Sequence, residues 1–147
     1  MIGKTPDQKQ ASIFKTALKQ VINPRHELVR LADLVPWREF EKNFKKLYSH
    51  TGVPAKPIRL MAGLLILKQL CKLSDENVVK EWEQNPYFQF FCGQSEFQWE
   101  RPCDPSDLAR FRHRLGKEGV DKIMEISEKT QGNKKKKVKA KIQKTGS

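Results

Sequence analysis

Between Pro57 and Leu73 the chain is apolar around almost the whole circumference of a helix. Ile58, Leu60, Met61, Leu64, Leu65, Ile66, Leu67, Leu70 and Cys71 leave no broad face for water. Such a helix is stable in water only when other elements surround it, so the rest of the chain must supply its cover. Arg59, Lys68, Gln69 and Lys72 interrupt the run, which is too short and too charged to span a bilayer. Gly63 lies inside it, where glycine otherwise only costs stability, and predicts a close helix crossing.

The covering elements are legible as short amphipathic helices bracketed by proline and glycine. After Pro24, the spacing of Leu28, Leu31 and Leu34 predicts a short helix. Pro36 suits a first helical position, and Trp37, Phe40, Phe44, Leu47 and Tyr48 then share one face. His50 to Lys56 reads as a loop. Ser74 is a good N-cap, with Asp75 and Glu76 in the first turn of a helix carrying Val78, Val79 and Trp82. That helix should end near Asn85, because the residue before Pro86 avoids the helical region. Pro86 restarts one or two turns with Tyr87, Phe88, Phe90 and Phe91, closed by Gly93. Gln94 to Cys103 reads as a loop or short extended segment. Val120, Ile123, Met124 and Ser127 mark a final helix that fades before Gly132. No useful strand alternation occurs. The expected fold is all-α: a compact multi-helix domain over residues 25–130 with a helix-turn-helix-like C-terminal part. A polar extension, 1–24, precedes it, with Ile13, Phe14, Leu18 and Val21 marking a weak helix. A disordered Lys-rich tail, 131–147, follows.

One further helix, Asp104 to Gly116, has a start signal, a stop signal, an apolar edge and a basic face. Asp104 can act as N-cap, Pro105 fits the first position, Asp107 adds negative charge near the N-terminus, and Gly116 is a natural stop. Leu108, Phe111 and Leu115 recur at i, i+3 and i+7 and want a core. Ser106, Arg110 and His113 point almost opposite, with Arg114 beside them and Lys117 just beyond. Arg112 falls on the margin of the apolar stripe and is assigned to structure, paired with an acid. A helix buried on one side and cationic on the other suits a nucleic-acid face; its bland reading is a solvated helix surface.

The charge agrees with that reading mainly through its distribution. The net charge is +12, yet residues 25–132 carry 18 basic and 16 acidic side chains, while 133–147 carry seven lysines and no acid. Lys134, Lys135, Lys136 and Lys137 form a run that can release counterions from phosphate without reading sequence. The expected partner is double-stranded DNA. Cys71, Cys92 and Cys103 are odd in number with no C-x-x-C, and the N-terminus has no apolar signal region, so a cytoplasmic protein is expected, with no membrane partner.

Other constellations are weaker. Tyr87 to Phe91 lacks interleaved Lys or Arg and is better read as core than as a base-stacking platform. Glu96, Glu100, Asp104 and Asp107 have unspecific spacing for a metal, and two of them already serve a helix start. Cys92, Cys103 and His113 do not match the compact ligand pairs of structural zinc sites. No catalytic, metal or cofactor site is expected.

Four segments together resemble a known family. Pro57 through Lys68, Leu73-Ser-Asp-Glu76, Asn85-Pro-Tyr-Phe-Gln-Phe-Phe-Cys-Gly93 and Asp104 through Gly116 are similar, in order, to the N-terminal domain of bacterial insertion-sequence transposases of the insertion-sequence-five group. The resemblance covers about residues 26–128. It implies a helical module that helps bind terminal inverted repeats and assemble the transposition complex. In that group a DDE catalytic domain follows and holds magnesium. Here no Asp occurs after Asp121 and no Glu after Glu128, so the triad carries over to no residue. The expectation is a catalytically incomplete, transposase-derived DNA-binding module. The alternative is an interaction module that dimerises or pairs with an intact transposase through helix 57–73 and the aromatic segment after Pro86.

Overall fold

In the computed structural model, which describes residues 17–48 and 56–145, and side chains over 17–45 and 56–129, the apolar helix is the centre of the fold. The elements in chain order are α1 (Leu18–Val21), α2 (Glu27–Leu34), α3 (Trp37–Tyr48), α4 (Ile58–Cys71), α5 (Asp75–Gln84), α6 (Pro86–Phe91) and α7 (Pro105–Thr145). Every residue of α4 from Leu60 to Leu67 is buried. Its cover comes from α3, α5, α6 and α7, which all pack on it, so the demand set by its composition is met from four sides. Gly63 makes one of these approaches possible: a Cβ there would stand 2.7 Å from the sulfur of Cys92, at the end of α6.

Local chemistry sets the boundaries. Ser74 Oγ accepts from the Asn77 N–H at 3.1 Å and starts α5. Asn85 ends α5 and caps α6, its Oδ1 accepting from the N–H groups of Tyr87 and Phe88 at 2.9 and 3.3 Å. His26 starts α2, its Nδ1 accepting from the Leu28 N–H, while its ring stacks on Tyr87 at 3.7 Å. The Tyr87 hydroxyl also accepts from the Asn23 N–H at 2.9 Å, so α2 and its entry are held against α6.

Three expectations change. Leu34 is not on the core face of α2; it is 65% exposed, and Ala32 and Val35 are buried instead. Six residues place Leu34 about 240° around the helix from Leu28, whereas Val35 returns to its side. The helix also does not fade before Gly132. The backbone remains helical to Thr145 where a disordered tail was expected. Lys and Gln are good helix formers, and extension of a helix already nucleated on the core costs little per residue. Finally, α1 is a single turn, with Leu18 fully buried and its N–H donating to the Ser95 carbonyl at 2.9 Å. Ala17 and Glu96 form an isolated bridge there, and no longer strand occurs among the described residues. Ile13, Phe14 and the expected 50–56 loop, save Lys56, lie outside the described residues. Among the described residues no helix is long and apolar enough to cross a membrane.

Candidate nucleic-acid interface

The first arm of α7, residues 105–115, carries the cationic face. Its start is closed by Asp107, whose carboxylate accepts from the Asp104 N–H at 2.9 Å, the reciprocal half of a capping box. The Asp104 carboxylate, expected to cap the helix, is engaged by Arg101 at 3.2 Å. The apolar edge lands as its spacing requires: Leu108, Phe111 and Leu115 are all buried, and Phe111 meets Phe44 of α3 edge-on at 6.3 Å.

Arg112 fixes the rotation of this arm about its axis. Its guanidinium donates twice to Asp75 of α5, at 2.6 and 2.8 Å, and Lys68 of α4 reaches the same carboxylate at 2.9 Å. These hydrogen bonds, led by that from Arg112 and opposed by partial burial, hold the Asp75 carboxyl down to about pKa 2. With one side set in the core and the margin tied to α4 and α5, the opposite side has one orientation.

Ser106, Arg110, His113 and Arg114 are all exposed on that side. Arg110 folds back along the helix, with its guanidinium 3.1 Å from Asp107 and 3.4 Å from both the hydroxyl and the carbonyl of Ser106. An exposed pair of this kind is weak, so Arg110 can exchange Asp107 for a phosphate or a base edge at little cost. Lys117 is also exposed, but it lies beyond Gly116, whose φ of 67° and ψ of −176° break the helical geometry. The face therefore does not continue in register from Arg114 to Lys117. Lys134 to Lys137 lie on the helical backbone of the second arm, and their side chains are outside the described residues.

The other constellations disperse. Cys92 and Cys103 are buried whereas His113 is exposed. Burial pushes the Cys92 thiol far up and the Cys103 thiol up to about 11, the opposite of what a thiolate ligand needs. Among the described residues no three His, Cys, Asp or Glu side chains converge as a metal cluster. Phe88 and Phe91 of the aromatic segment are core. A recess lined by Leu65, Lys68, Gln69, Arg112, Val120, Ile123 and Met124 measures about 70 Å³, well below a small-molecule site.

Sequence reasoning missed Gln89. It is fully buried; its amide donates to the carbonyls of Trp82 and Gln98 at 3.0 Å each and accepts from the Gln98 N–H at 2.7 Å. It thereby staples the 94–104 loop that delivers the chain to α7. The available signal was a lone amide within an aromatic run, at a position where an apolar residue would otherwise be expected.

Comparison with known proteins adds family membership to this geometry. Residues 16–114 match the family described as transposase domain (DUF772). Over 122 residues, 83% of this chain, the sequence is 43% identical to "Uncharacterized protein ORF8 in nfe locus" of Rhizobium meliloti. The chain spans 59% of the length of that relative. No solved structure matches.

Proposed function

This chain belongs to the transposase-domain family, and on that premise we propose that it is a binding module for double-stranded DNA, acting at the ends of a mobile element of the insertion-sequence-five group. One observation carries the reading: the 105–115 arm is held on its apolar edge and through Arg112, so Ser106, Arg110, His113 and Arg114 are presented together to solvent. Phosphate attraction supplies affinity, to which the lysine-rich segment 133–147 contributes, and the exposed arginines meet the groove. Strand cleavage is assigned to no residue of this chain.

The rival reading placed a dimer face on helix 57–73 and the aromatic segment. Leu60 to Leu67, Phe88 and Phe91 are buried in the chain's own core, so that face is already occupied. A partner could reach that face only by displacing one of the helices that cover it.

The test is fluorescence anisotropy with a labelled mixed-sequence duplex, titrated across a range of salt. Arg110→Ala and Arg114→Ala together should weaken binding about tenfold or more at fixed salt. Removal of residues 133–147 should chiefly flatten the salt dependence, by about 0.9 in log–log slope for each phosphate that is no longer neutralised. Wild-type affinity in the double variant rejects this face as the reader.

A further inference from the structure

Two glycines shape α7, and they serve the bend in different ways. Gly116 takes φ 67° and ψ −176°, a conformation essentially closed to other residues, yet a Cβ on it would meet nothing within 4 Å. Its need is conformational. Gly119 is helical, but a Cβ there would stand 2.8 Å from the Cβ of Leu115. In an unbroken helix, Cβ atoms four apart are separated by about 5–6 Å. Its need is spatial and exists only because the helix is bent. Everything else around the bend has helical geometry and no proline, so the straight helix lacks both difficulties.

The bend lays the second arm back on the core. Ile123 is buried, Val120 and Ile126 pack against the core, and a small recess of about 70 Å³ lies between this arm and Leu65. A straight α7 would carry this apolar stripe away from its own α4 and leave the α4 surface beside it bare. The occupant that fits that surface is the same stripe from another molecule.

We infer that α7 is a two-state hinge at Gly116 and that its straight form exchanges the 117–145 arm between two copies of this chain, each arm docking on the partner's α4. This exchange creates no new contact surface, because the closed monomer and the swapped dimer bury the same residues. The two forms differ at the hinge, which is where their balance is set. The inference stands independently of the DNA reading.

The experiment compares the full chain with Gly116→Ala and, separately, Gly119→Ala. The first penalises the bend through backbone conformation and the second through the clash with Leu115, while both favour a straight helix. Light scattering on concentration series should show each variant dimerising at a concentration about tenfold or more below the wild type. In a Cys71→Ser background, spin labels at Ala109 and Lys129, both exposed, then read the helix itself after dilution with unlabelled copies. The dimer should give an intramolecular separation of about 30 Å, the span of 20 straight helical residues. The monomer should give a shorter one. Folded variants that stay monomeric, or a dimer that retains the short distance, would overturn the proposal. Should neither variant fold, wild-type protein refolded at high concentration decides: absence of a dimer, or a dimer with the short distance, also overturns it.

Discussion

At the scale of single residues, the carboxylate of Asp75 ties the candidate interface to two other helices. It receives Arg112 from the first arm of α7 and Lys68 from α4, and its carboxyl is lowered from 3.8 to about 2. A carboxyl depressed in the folded state stabilises the fold above its unfolded pKa. That contribution is lost as pH falls from about 4 towards 2, when the group takes up its proton. Because the three side chains are partly open to solvent, the contribution is on the order of 1–2 kcal/mol, not the several expected of a dry pair. Asp75→Asn should therefore lower stability by about that amount at pH 7, and its deficit against wild type should shrink as pH approaches 2. Urea unfolding across the acid range measures this directly; a deficit unchanged with pH would assign the effect to something other than the charge. The same substitution should weaken duplex binding only through the orientation of Arg110 and Arg114, since Asp75 is not itself on the exposed face.

Elements meet where side chains permit, and the crossing of α4 with the end of α6 depends on Gly63. Adding a methyl group there puts it 2.7 Å from the Cys92 sulfur and 3.2 Å from the Cys92 Cα, so part of the obstruction is backbone and cannot rotate away. Gly63→Ala gains helix propensity but overpacks the crossing, for a net loss of about 1–3 kcal/mol. Shortening the opposing side chain in Gly63→Ala/Cys92→Ala should restore part of that loss. Denaturant midpoints of the single and double variants give the coupling, and strictly additive losses would mean that the two positions do not meet. The crossing was legible in the sequence because a mid-helix glycine in an apolar helix has few other uses. The helix starts at Ser74 and Asn85–Pro86 were legible for a similar reason: short polar caps and proline act locally. Leu34, Gln89 and the Asp75–Arg112 pairing were not equally legible. Which side of an eight-residue helix is buried depends on where the following turn sends the chain, and the partner of a buried amide depends on a loop nine residues away. The position of Arg112 on the stripe margin showed that it would pair, but not with which acid. For the candidate interface, periodicity agrees with the exposure of Ser106, Arg110, His113 and Arg114, and Lys117, read as lying just beyond the helix, is exposed past Gly116, where the 100° step per residue ends.

Across the whole molecule, the core is one connected cluster that draws on every helix from α2 to α7, with α4 in contact with four of them. With one core and, among the described residues, no second, separately packed cluster, the domain should unfold as a unit. Leu64 and Leu67 are both fully buried within α4, so truncating either removes packing from the centre rather than from one interface. Leu64→Ala should cost about 2–5 kcal/mol, a large share of the roughly 5–15 kcal/mol that holds such a domain together. The form of the loss is as informative as its size. If α4 organises the entire fold, the variant should unfold in one transition at lower denaturant with the same dependence on denaturant concentration, by both circular dichroism and fluorescence. In native-state hydrogen exchange, the α4 amides of the wild type should exchange only through global unfolding, since opening them requires displacing α3, α5, α6 and α7 together. A variant in which α7 unfolds first, with α3 to α6 still protected, would show that the arm carrying the cationic face is a separate cooperative unit. In that case Asp75→Asn should loosen the first arm without lowering the midpoint of the remaining helices.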